Sequence, residues 1–167
     1  MFMAVIGSIL LFTSANAKTT PPVVPVTNPL HSINVTDAAG LLTNGTLDVI
    51  SFISSNGSTW AVCKLRGICG GIDIDEDCIC PITVEPCDDI PPRIAVNTLD
   101  AQSFHCDCIE IRFGPCDIRR VTGLILNLNP HNVQCTTRDF SSDLLCSIHN
   151  TPRILIAQLV ALLNQLL

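Results

Sequence analysis

The chain has 167 residues, of which 14% are charged and 47% are apolar when cysteine is counted, and its formal net charge is −6. Its apolar content is too high and its charge too low for a disordered chain, and its acidic balance argues against nucleic acid as a partner. No apolar run reaches the length of an ordinary transmembrane helix.

The first 17 residues have the pattern of a secretory signal peptide. An apolar run over residues 1–12 is followed by Ala15-Asn16-Ala17, a small-x-small cleavage pattern that directly precedes Lys18. The run is too short to span a bilayer, which argues against the alternative of an N-terminal anchor. The sequence therefore predicts a secreted chain of about 150 residues, the usual size of one domain.

Residues 18–45 are predicted to form a Pro/Thr-rich, glycosylated N-terminal arm, because proline removes backbone donors and favours extended, solvated chain. Asn34, Asn44 and Asn56 each begin an Asn-x-Ser/Thr sequon. Such sites carry bulky glycans where they are exposed in a secreted protein. We therefore expect all three asparagines to lie on the surface.

A disulfide-rich β domain is predicted for residues 46–150. Asn56-Gly57, between the strand-like segments 49–55 and 58–65, favours a hairpin with a type I′ turn. Trp60 then lies on the return strand as a core or cross-strand packing residue. Alternating or short apolar segments predict further strands over residues 93–99, 104–113, 118–127 and 133–137.

All ten cysteines are predicted to form disulfides, because an even number in an oxidising compartment is typical of a disulfide framework. Zinc is disfavoured, since zinc sites usually take Cys-x-x-Cys loops and this chain has Cys-x-Cys pairs. We therefore expect no metal and no other cofactor. The predicted disulfide residues are Cys63, Cys69, Cys78, Cys80, Cys87, Cys106, Cys108, Cys116, Cys135 and Cys146.

An internal repeat relates two parts of the β domain. Residues 78–87 and 106–116 both read Cys-x-Cys, then an alternating apolar stretch, then Pro-Cys. Such similarity indicates repeated supersecondary structure, here within the half-repeats 63–87 and 106–146. Each half contains an odd number of cysteines, so complete pairing requires a bridge between the halves, but the sequence does not determine the connectivity.

Asp73-Ile74-Asp75-Glu76-Asp77 alternates carboxylates, which is typical either of a solvated acidic face or of a loose calcium site. An EF-hand is excluded, because its required glycine is replaced by Cys78. None of the four histidines lies in an HExxH motif, and no GxSxG motif is present. With every cysteine paired, no thiolate nucleophile remains, so no catalytic residue is assigned and a protein without enzymatic activity is expected.

Residues 151–167 are predicted to form an apolar α-helix with Thr151 as N-cap and Pro152 in the first turn. The apolar surface of Ile154–Leu167 requires a partner, which is the β domain, a second copy of the chain or a lipid surface. The alternative is a GPI-anchor signal with Ser141-Ser142-Asp143 as acceptor, whose removal would leave Cys146 unpaired.

The predicted fold class is mainly β, a small antiparallel disulfide-rich domain with a C-terminal apolar α-helix. The predicted function is that of a secreted N-glycoprotein that acts as an extracellular recognition module for a protein or surface partner. Neither nucleic acid nor a transmembrane span is expected. Two alternatives stay open: a structural or surface-active matrix or coat protein that assembles through the C-terminal helix, and a GPI-anchored surface protein.

Overall fold

The computed structural model describes residues 28–87, 108–121, 124–136, 138–140, 142–149 and 154–167. This part of the chain forms eight strands and two helices. The strands are β1 (Ile33–Asp37), β2 (Leu42–Ser55), β3 (Ser58–Cys69), β4 (Ile72–Pro86), β5 (Cys108–Phe113), β6 (Cys116–Val121), β7 (Leu124–Pro130) and β8 (Val133–Thr136). The helices are α1 (Ser142–His149) and α2 (Ile156–Leu163).

Two tight turns build the centre of the sheet from β2, β3 and β4. Asn56 and Gly57 have φ angles of 50° and 75°, and two positive φ angles are what a type I′ turn requires. The predicted hairpin at this position is therefore confirmed. Gly70 and Gly71, with φ angles of 56° and 82°, connect β3 to β4 in the same way, a turn that the sequence analysis did not identify.

All eight strands belong to one antiparallel sheet in the order β6-β7-β1-β2-β3-β4-β5-β8. β1 pairs with β2 on one side and with β7 on the other. The sheet curls, so that β6 at one edge packs on β4 and is joined to it by the Cys80–Cys116 disulfide, with a Cα–Cα distance of 4.8 Å. The apolar core lies inside this curl.

Residues 30–45 belong to the β body and not to an N-terminal arm, which corrects the predicted boundary. Leu30, Ile33 and Val35 are all buried in the core. Alternate burial along β1 is the period of a strand, but the Pro/Thr-rich run before it dominated the composition of residues 18–45. Residues 18–27 of the predicted arm lie outside the described residues.

The strands after β4 differ in extent from those predicted. β5 confirms the second half of the predicted strand 104–113, and β8 confirms residues 133–136. The predicted strand 118–127 is instead two antiparallel strands, β6 and β7, with Val121 opposite Leu124. The prediction joined the two strands into one although Arg119, Arg120 and Gly123 interrupt the apolar character of this segment. Residues 104–107 and the predicted strand 93–99 lie outside the described residues.

The C-terminal region contains two short helices where one longer helix was predicted. α2 covers the middle of the predicted helix 151–167, and α1 was assigned to the β domain by the sequence analysis. Leu145 of α1, Leu163 of α2 and Leu166 are buried in the core. The apolar C-terminal segment therefore packs on its own β body, where α2 contacts β2 and β3.

Asn164 connects the end of α2 to the open edge of β2. β1 pairs only with the first part of β2, so among the described strands none lies beside Phe52 on that side. The Phe52 N–H donates to Asn164 Oδ1 at 2.8 Å, and Asn164 Nδ2 donates to the Phe52 carbonyl at 2.8 Å. The amide thus supplies the two hydrogen bonds that a further strand would supply. The predicted fold class, mainly antiparallel β with a C-terminal helix, is confirmed.

Candidate binding surface and cysteine cluster

The outer face of β2, β3 and β4 carries a row of exposed apolar side chains. Trp60 lies between Ile53 and Pro81, and Val62 lies beside Ile79. Side chains directly opposite each other on neighbouring strands stand in contact. We call this surface the outer-face patch, which also includes the residue at the bulge of β2. Its members are Ile50, Ile53, Trp60, Val62, Ile79 and Pro81.

Two residues of the outer-face patch are at least half exposed although they are large and apolar. Ile50 is 58% exposed and Ile79 is 50% exposed. Trp60 is half-buried between its cross-strand neighbours, and its indole N–H donates to the Ser55 carbonyl at 3.3 Å. Its register position between Ile53 and Pro81 is that of a cross-strand neighbour, and the interpretation of Trp60 as a core or cross-strand packing residue stays a prediction. The patch faces away from the buried core, so it is not required to close the fold.

Charged residues continue the outer face toward the β3–β4 turn. Lys64 Nζ lies 3.1 Å from Asp77 Oδ1 and 3.4 Å from Asp75 Oδ1. Arg66 pairs with Asp48 and, at 3.9 Å, with Asp75. The hydrogen bond from Lys64 to Asp77 raises the pKa of the lysine. We call these residues, Asp48, Lys64, Arg66, Asp75 and Asp77, the charged ladder. Exposed ion pairs of this kind contribute little to the stability of the fold.

The acidic run Asp73–Asp77 forms part of β4 and not a calcium loop. Asp73, Asp75 and Asp77 point to the outer face, while Ile74 between them is buried. Strand pairing with β3 holds Asp75 and Asp77 beside Lys64. The arrangement is that of a solvated, partly ion-paired face, which is the first of the two alternatives left open by the sequence.

Two disulfides connect the internal repeat in a reciprocal way. Cys80, in the first Cys-x-Cys pair, bonds Cys116 at the end of the second segment, and Cys87, at the end of the first segment, bonds Cys108 in the second Cys-x-Cys pair. β4 and β5 run antiparallel, with Val84 opposite Ile111. The two segments are therefore related by a local two-fold arrangement, and both bridges cross between the halves.

Four other described cysteines are buried thiols in this structure: Cys63, Cys69, Cys78 and Cys135. These four residues, like all ten cysteines, are predicted from the sequence to be paired. Cysteine number and compartment indicate that thiols are oxidised, but only the fold determines which sulfurs meet. Cys146 does take part in a disulfide, and Cys106 lies outside the described residues. Pairing of the four thiols stays a prediction.

Cys63 and Cys78 lie directly opposite each other on β3 and β4, and their thiols are hydrogen-bonded. The hydrogen bond from Cys63 lowers the pKa of Cys78, and the same contact, together with burial, raises the pKa of Cys63. For comparison, burial raises the pKa of the Cys135 thiol to about 12.

The Cys78 sulfur also lies close to the Cys80–Cys116 disulfide. The three sulfur atoms are all within 4.8 Å of one another, which is the spacing of metal ligands. Metals bind cysteine as the thiolate, however, and two of the three sulfurs are bonded to each other. The arrangement therefore favours thiol–disulfide exchange over metal binding. Elsewhere in the described ranges, no three such side chains come together.

The three predicted glycosylation sites lie where glycans fit. Asn34 is on the outer side of β1, Asn44 is at a bulge of β2 and Asn56 is at the tip of the β2–β3 hairpin. All three side chains are exposed. Their modification stays a prediction, for which this exposure is the structural precondition.

A cavity of 280 Å³ opens between the end of β4, β5 and the two helices, with mostly apolar walls. His149 lies at its wall, half-buried, and within the described chain its Nδ1 atom has no hydrogen-bond partner. The sequence analysis gave His149 no role. Residues 88–107 and 150–153, which adjoin the lining segments in sequence, lie outside the described residues, so no ligand is assigned to this cavity.

The outer-face patch was missed because the sequence analysis looked for one buried face per strand. Val62 and Ile79 alternate with the buried Cys63, Cys78 and Cys80, so both faces of these strands are partly apolar. A two-sided apolar pattern is a recognisable signal. It does not tell which face is covered, since that depends on the curl of the sheet.

Within the described residues, both helices are too short to cross a bilayer, so no membrane-spanning helix is found there. Comparison with protein-family descriptions, with curated proteins and with solved structures finds no match to this chain. The candidate site must therefore be interpreted from its own geometry.

Proposed function

We propose that the chain is a secreted, disulfide-stabilised binding module that recognises a protein partner through the outer-face patch. The observation that carries this proposal is the apolar cluster around Trp60, the only tryptophan of the chain, on a face that the fold does not use for its core. Contiguous exposed apolar surface on a folded protein is typical of an interaction site. Tryptophan is also among the residues enriched at energetic centres of interfaces.

The surroundings of the patch have the composition of an interface rim. Protein interfaces combine an apolar centre with a polar, hydrated border. Here the border is the charged ladder, where Asp48, Asp75 and Asp77 outnumber Lys64 and Arg66. Charge complementarity therefore favours a protein partner that presents an apolar anchor beside basic side chains.

Three features support an extracellular location for this module. They are the signal-peptide pattern before Lys18, the cysteine content with bridges at Cys80–Cys116 and Cys87–Cys108, and the exposure of the three sequons. Asn56 at the hairpin tip lies just beyond the patch. A glycan there extends from the end of the strands and leaves the neighbouring outer face open.

The packing of the C-terminal segment favours this proposal over assembly through that segment or GPI anchoring. Leu163 and Leu166 are buried in the core, and Asn28 Nδ2 donates to the Leu166 carbonyl at 2.9 Å. Removal of the segment would expose the core. The segment is thus part of the β body through Leu163 and Leu166, although Leu155 and Leu167 stay exposed.

The proposal is tested by expressing the full chain in a secretory system and measuring its binding to intact cells. We expect a secreted product beginning at Lys18 with glycans that peptide N-glycosidase removes, and saturable binding that protease treatment of the cells abolishes. Ile79→Asp places a charge in the patch and is expected to weaken binding by about tenfold or more, as loss of an interface anchor does.

The matched control is Ile72→Asp, because Ile72 is 55% exposed on the same strand but lies outside the patch, at the first residue of β4 beside the β3–β4 turn. It should leave binding unchanged. Equal binding of the two variants contradicts the proposed surface. Binding that survives proteolysis of the cells, or that is reproduced by lipid vesicles, contradicts a protein partner.

A further inference from the structure

Four sulfur atoms meet inside the curled sheet, in what we call the sulfur cluster: Cys63, Cys78, Cys80 and Cys116. None of the four residues is more than 5% exposed. Two are bonded to each other and two are thiols. Cys78 is the central member, since it contacts Cys63 across the β3–β4 ladder and lies within 4.8 Å of both sulfurs of the disulfide.

The β3–β4 ladder permits a bridge between Cys63 and Cys78 without movement of the backbone. Residues directly opposite each other in antiparallel strands have Cα atoms about 4.5–5.5 Å apart. Disulfides accept Cα–Cα distances of about 4.4–6.8 Å. The cluster therefore contains one existing bridge and one position where a second bridge fits.

Because the four sulfurs are buried, the thiol that attacks the Cys80–Cys116 disulfide must come from within the cluster. A thiol or disulfide reagent in solvent has no direct access to these sulfurs, but the thiol of Cys78 and the disulfide are already neighbours. Disulfides rearrange by attack of a thiolate on a disulfide sulfur through a mixed disulfide, which needs no external oxidant. The geometry supplies this encounter within the folded chain.

We propose that the sulfur cluster is an internal thiol–disulfide exchange site, in which the Cys63/Cys78 dithiol and the Cys80–Cys116 disulfide interconvert with the Cys63–Cys78 disulfide and the Cys80/Cys116 dithiol. This inference does not depend on the proposed binding function. It concerns a different face of the same strands and holds for any partner.

The exchange takes two steps that balance without any added reactant. The Cys78 thiolate attacks the sulfur of Cys116, forming a Cys78–Cys116 bond and releasing Cys80 as a thiolate. The Cys63 thiolate then attacks the sulfur of Cys78, forming the Cys63–Cys78 bond and releasing Cys116. The two protons of the original dithiol end on Cys80 and Cys116, and two electrons pass from the first pair to the second.

Two observations assign the order of these steps. Cys78 is the first nucleophile because its sulfur, and not that of Cys63, belongs to the group of three that lie within 4.8 Å of one another with Cys80 and Cys116. Attack on Cys116 is favoured over attack on Cys80, because residues two apart on an extended strand have Cα atoms about 6.6 Å apart, at the limit for a disulfide. Cys116 lies on another strand and is free of this constraint.

The exchange alters how the layers of the fold are joined. Cys80–Cys116 ties β4 to β6, which are not paired in the sheet, whereas Cys63–Cys78 ties two strands that are already paired. Transfer of the bridge thus releases the covalent link that closes the curl. The two states of the site therefore differ in which pair of strands the bridge joins, β4 with β6 or β3 with β4.

The full chain tests this proposal under anaerobic conditions, without added disulfide and at mildly alkaline pH. The starting material is protein that carries one bridge among the four cluster cysteines, as shown by alkylation in denaturant, because a reductant in solvent has no direct access to these buried sulfurs. Samples are quenched in acid over time, alkylated after denaturation and mapped by tandem mass spectrometry with cleavage at Ile79, which separates Cys78 from Cys80. We expect Cys63–Cys78 and Cys80–Cys116 to appear together with a constant sum.

Cys63→Ser blocks the second step, so we expect a Cys78–Cys116 bridge with Cys80 alkylated. Cys135→Ser is the matched control, since it removes a buried strand thiol outside the cluster, and it should leave the exchange intact. If a variant fails to fold, the disulfide mapping of the unaltered chain still tests the exchange. Persistence of Cys80–Cys116 as the sole bridge at all times, or a bridge from Cys63 to a cysteine outside the cluster, overturns the proposal.

Discussion

Asp37 holds the turn between β1 and β2 with a single side chain. Its carboxylate accepts the backbone N–H groups of Ala39 at 2.7 Å and Leu42 at 3.0 Å, and also that of Leu41. Burial by itself raises the pKa of Asp37. The three hydrogen bonds to the charged form lower the pKa by more than burial raises it, so the net pKa lies below the ordinary value of 3.8. The residue thus couples the stability of this turn to pH.

Replacement of this carboxylate should remove a pH-dependent part of the stability. Because the folded-state pKa is depressed, the stabilisation is fully present above the unfolded-state pKa and is lost as the pH falls through the folded-state value. We expect Asp37→Asn to lower the unfolding free energy at neutral pH by about 1–3 kcal/mol and to flatten its decline below pH 3.8.

Urea unfolding from neutral to acid pH measures this effect. Asp73→Asn is the control, because it removes the same charge from an exposed site on the outer face. Parallel curves for the Asp37→Asn variant and the unaltered chain would contradict the role given to Asp37.

At the scale of elements, the junction between α2 and β2 explains why the apolar C-terminal segment has a defined position. Leu163 supplies apolar burial, but burial is not directional. Direction comes from Asn164, whose amide matches both polar groups of Phe52 at an open strand edge. A carboxylate there would retain the acceptor and lose the donor.

Asn164→Asp should therefore destabilise the protein by about 1 kcal/mol or more, because the Phe52 carbonyl then faces an oxygen instead of an N–H group. Gln165→Glu introduces the same charge at the neighbouring exposed residue and should have little effect. Urea denaturation of both variants at neutral pH measures the difference. An equal loss in the two variants would mean that charge near the C-terminus, and not the hydrogen bond, is responsible.

At the scale of the whole molecule, the two described bridges connect segments far apart in the chain. Cys80–Cys116 closes a loop with a sequence separation of 36, and Cys87–Cys108 closes one of 21. A disulfide stabilises a fold mainly by restricting the unfolded chain, and the effect increases with loop length. These bridges therefore limit the unfolded ensemble of the β4–β6 region.

Double replacement of Cys80 and Cys116 by alanine should lower stability by about 4 kcal/mol, and the same change at Cys87 and Cys108 by about 3 kcal/mol. The control is the double alanine variant of Cys69 and Cys135, which loses the same atoms from buried thiols that are not bridged. The loss of unfolding free energy in this control is subtracted from the loss in each bridge variant, and the difference measures the contribution of the disulfide itself. If thermal and chemical unfolding show the same loss in the control and in the bridge variants, the proposed stabilisation by the disulfides is contradicted.

Much of the fold followed from local patterns. The β2–β3 hairpin was predictable because Asn56-Gly57 satisfies a backbone requirement that few residue pairs satisfy. Antiparallel β class followed from alternation and turn residues, which act over a few positions. The boundary of the N-terminal arm was predicted wrongly and α1 was not predicted, because composition over a window conceals where burial begins and ends.

The sequence by itself determined the hairpin, the mainly β class, the abundance of cysteine and the acidic surface, since each depends on residue type or on neighbours along the chain. Only the tertiary structure decided which cysteines meet and which apolar face stays open. Cys63 and Cys78 lie opposite each other through the register of β3 and β4, and Cys116 reaches Cys78 and Cys80 through the curl of the sheet. Register and curl depend on packing between distant segments, which no local pattern contains.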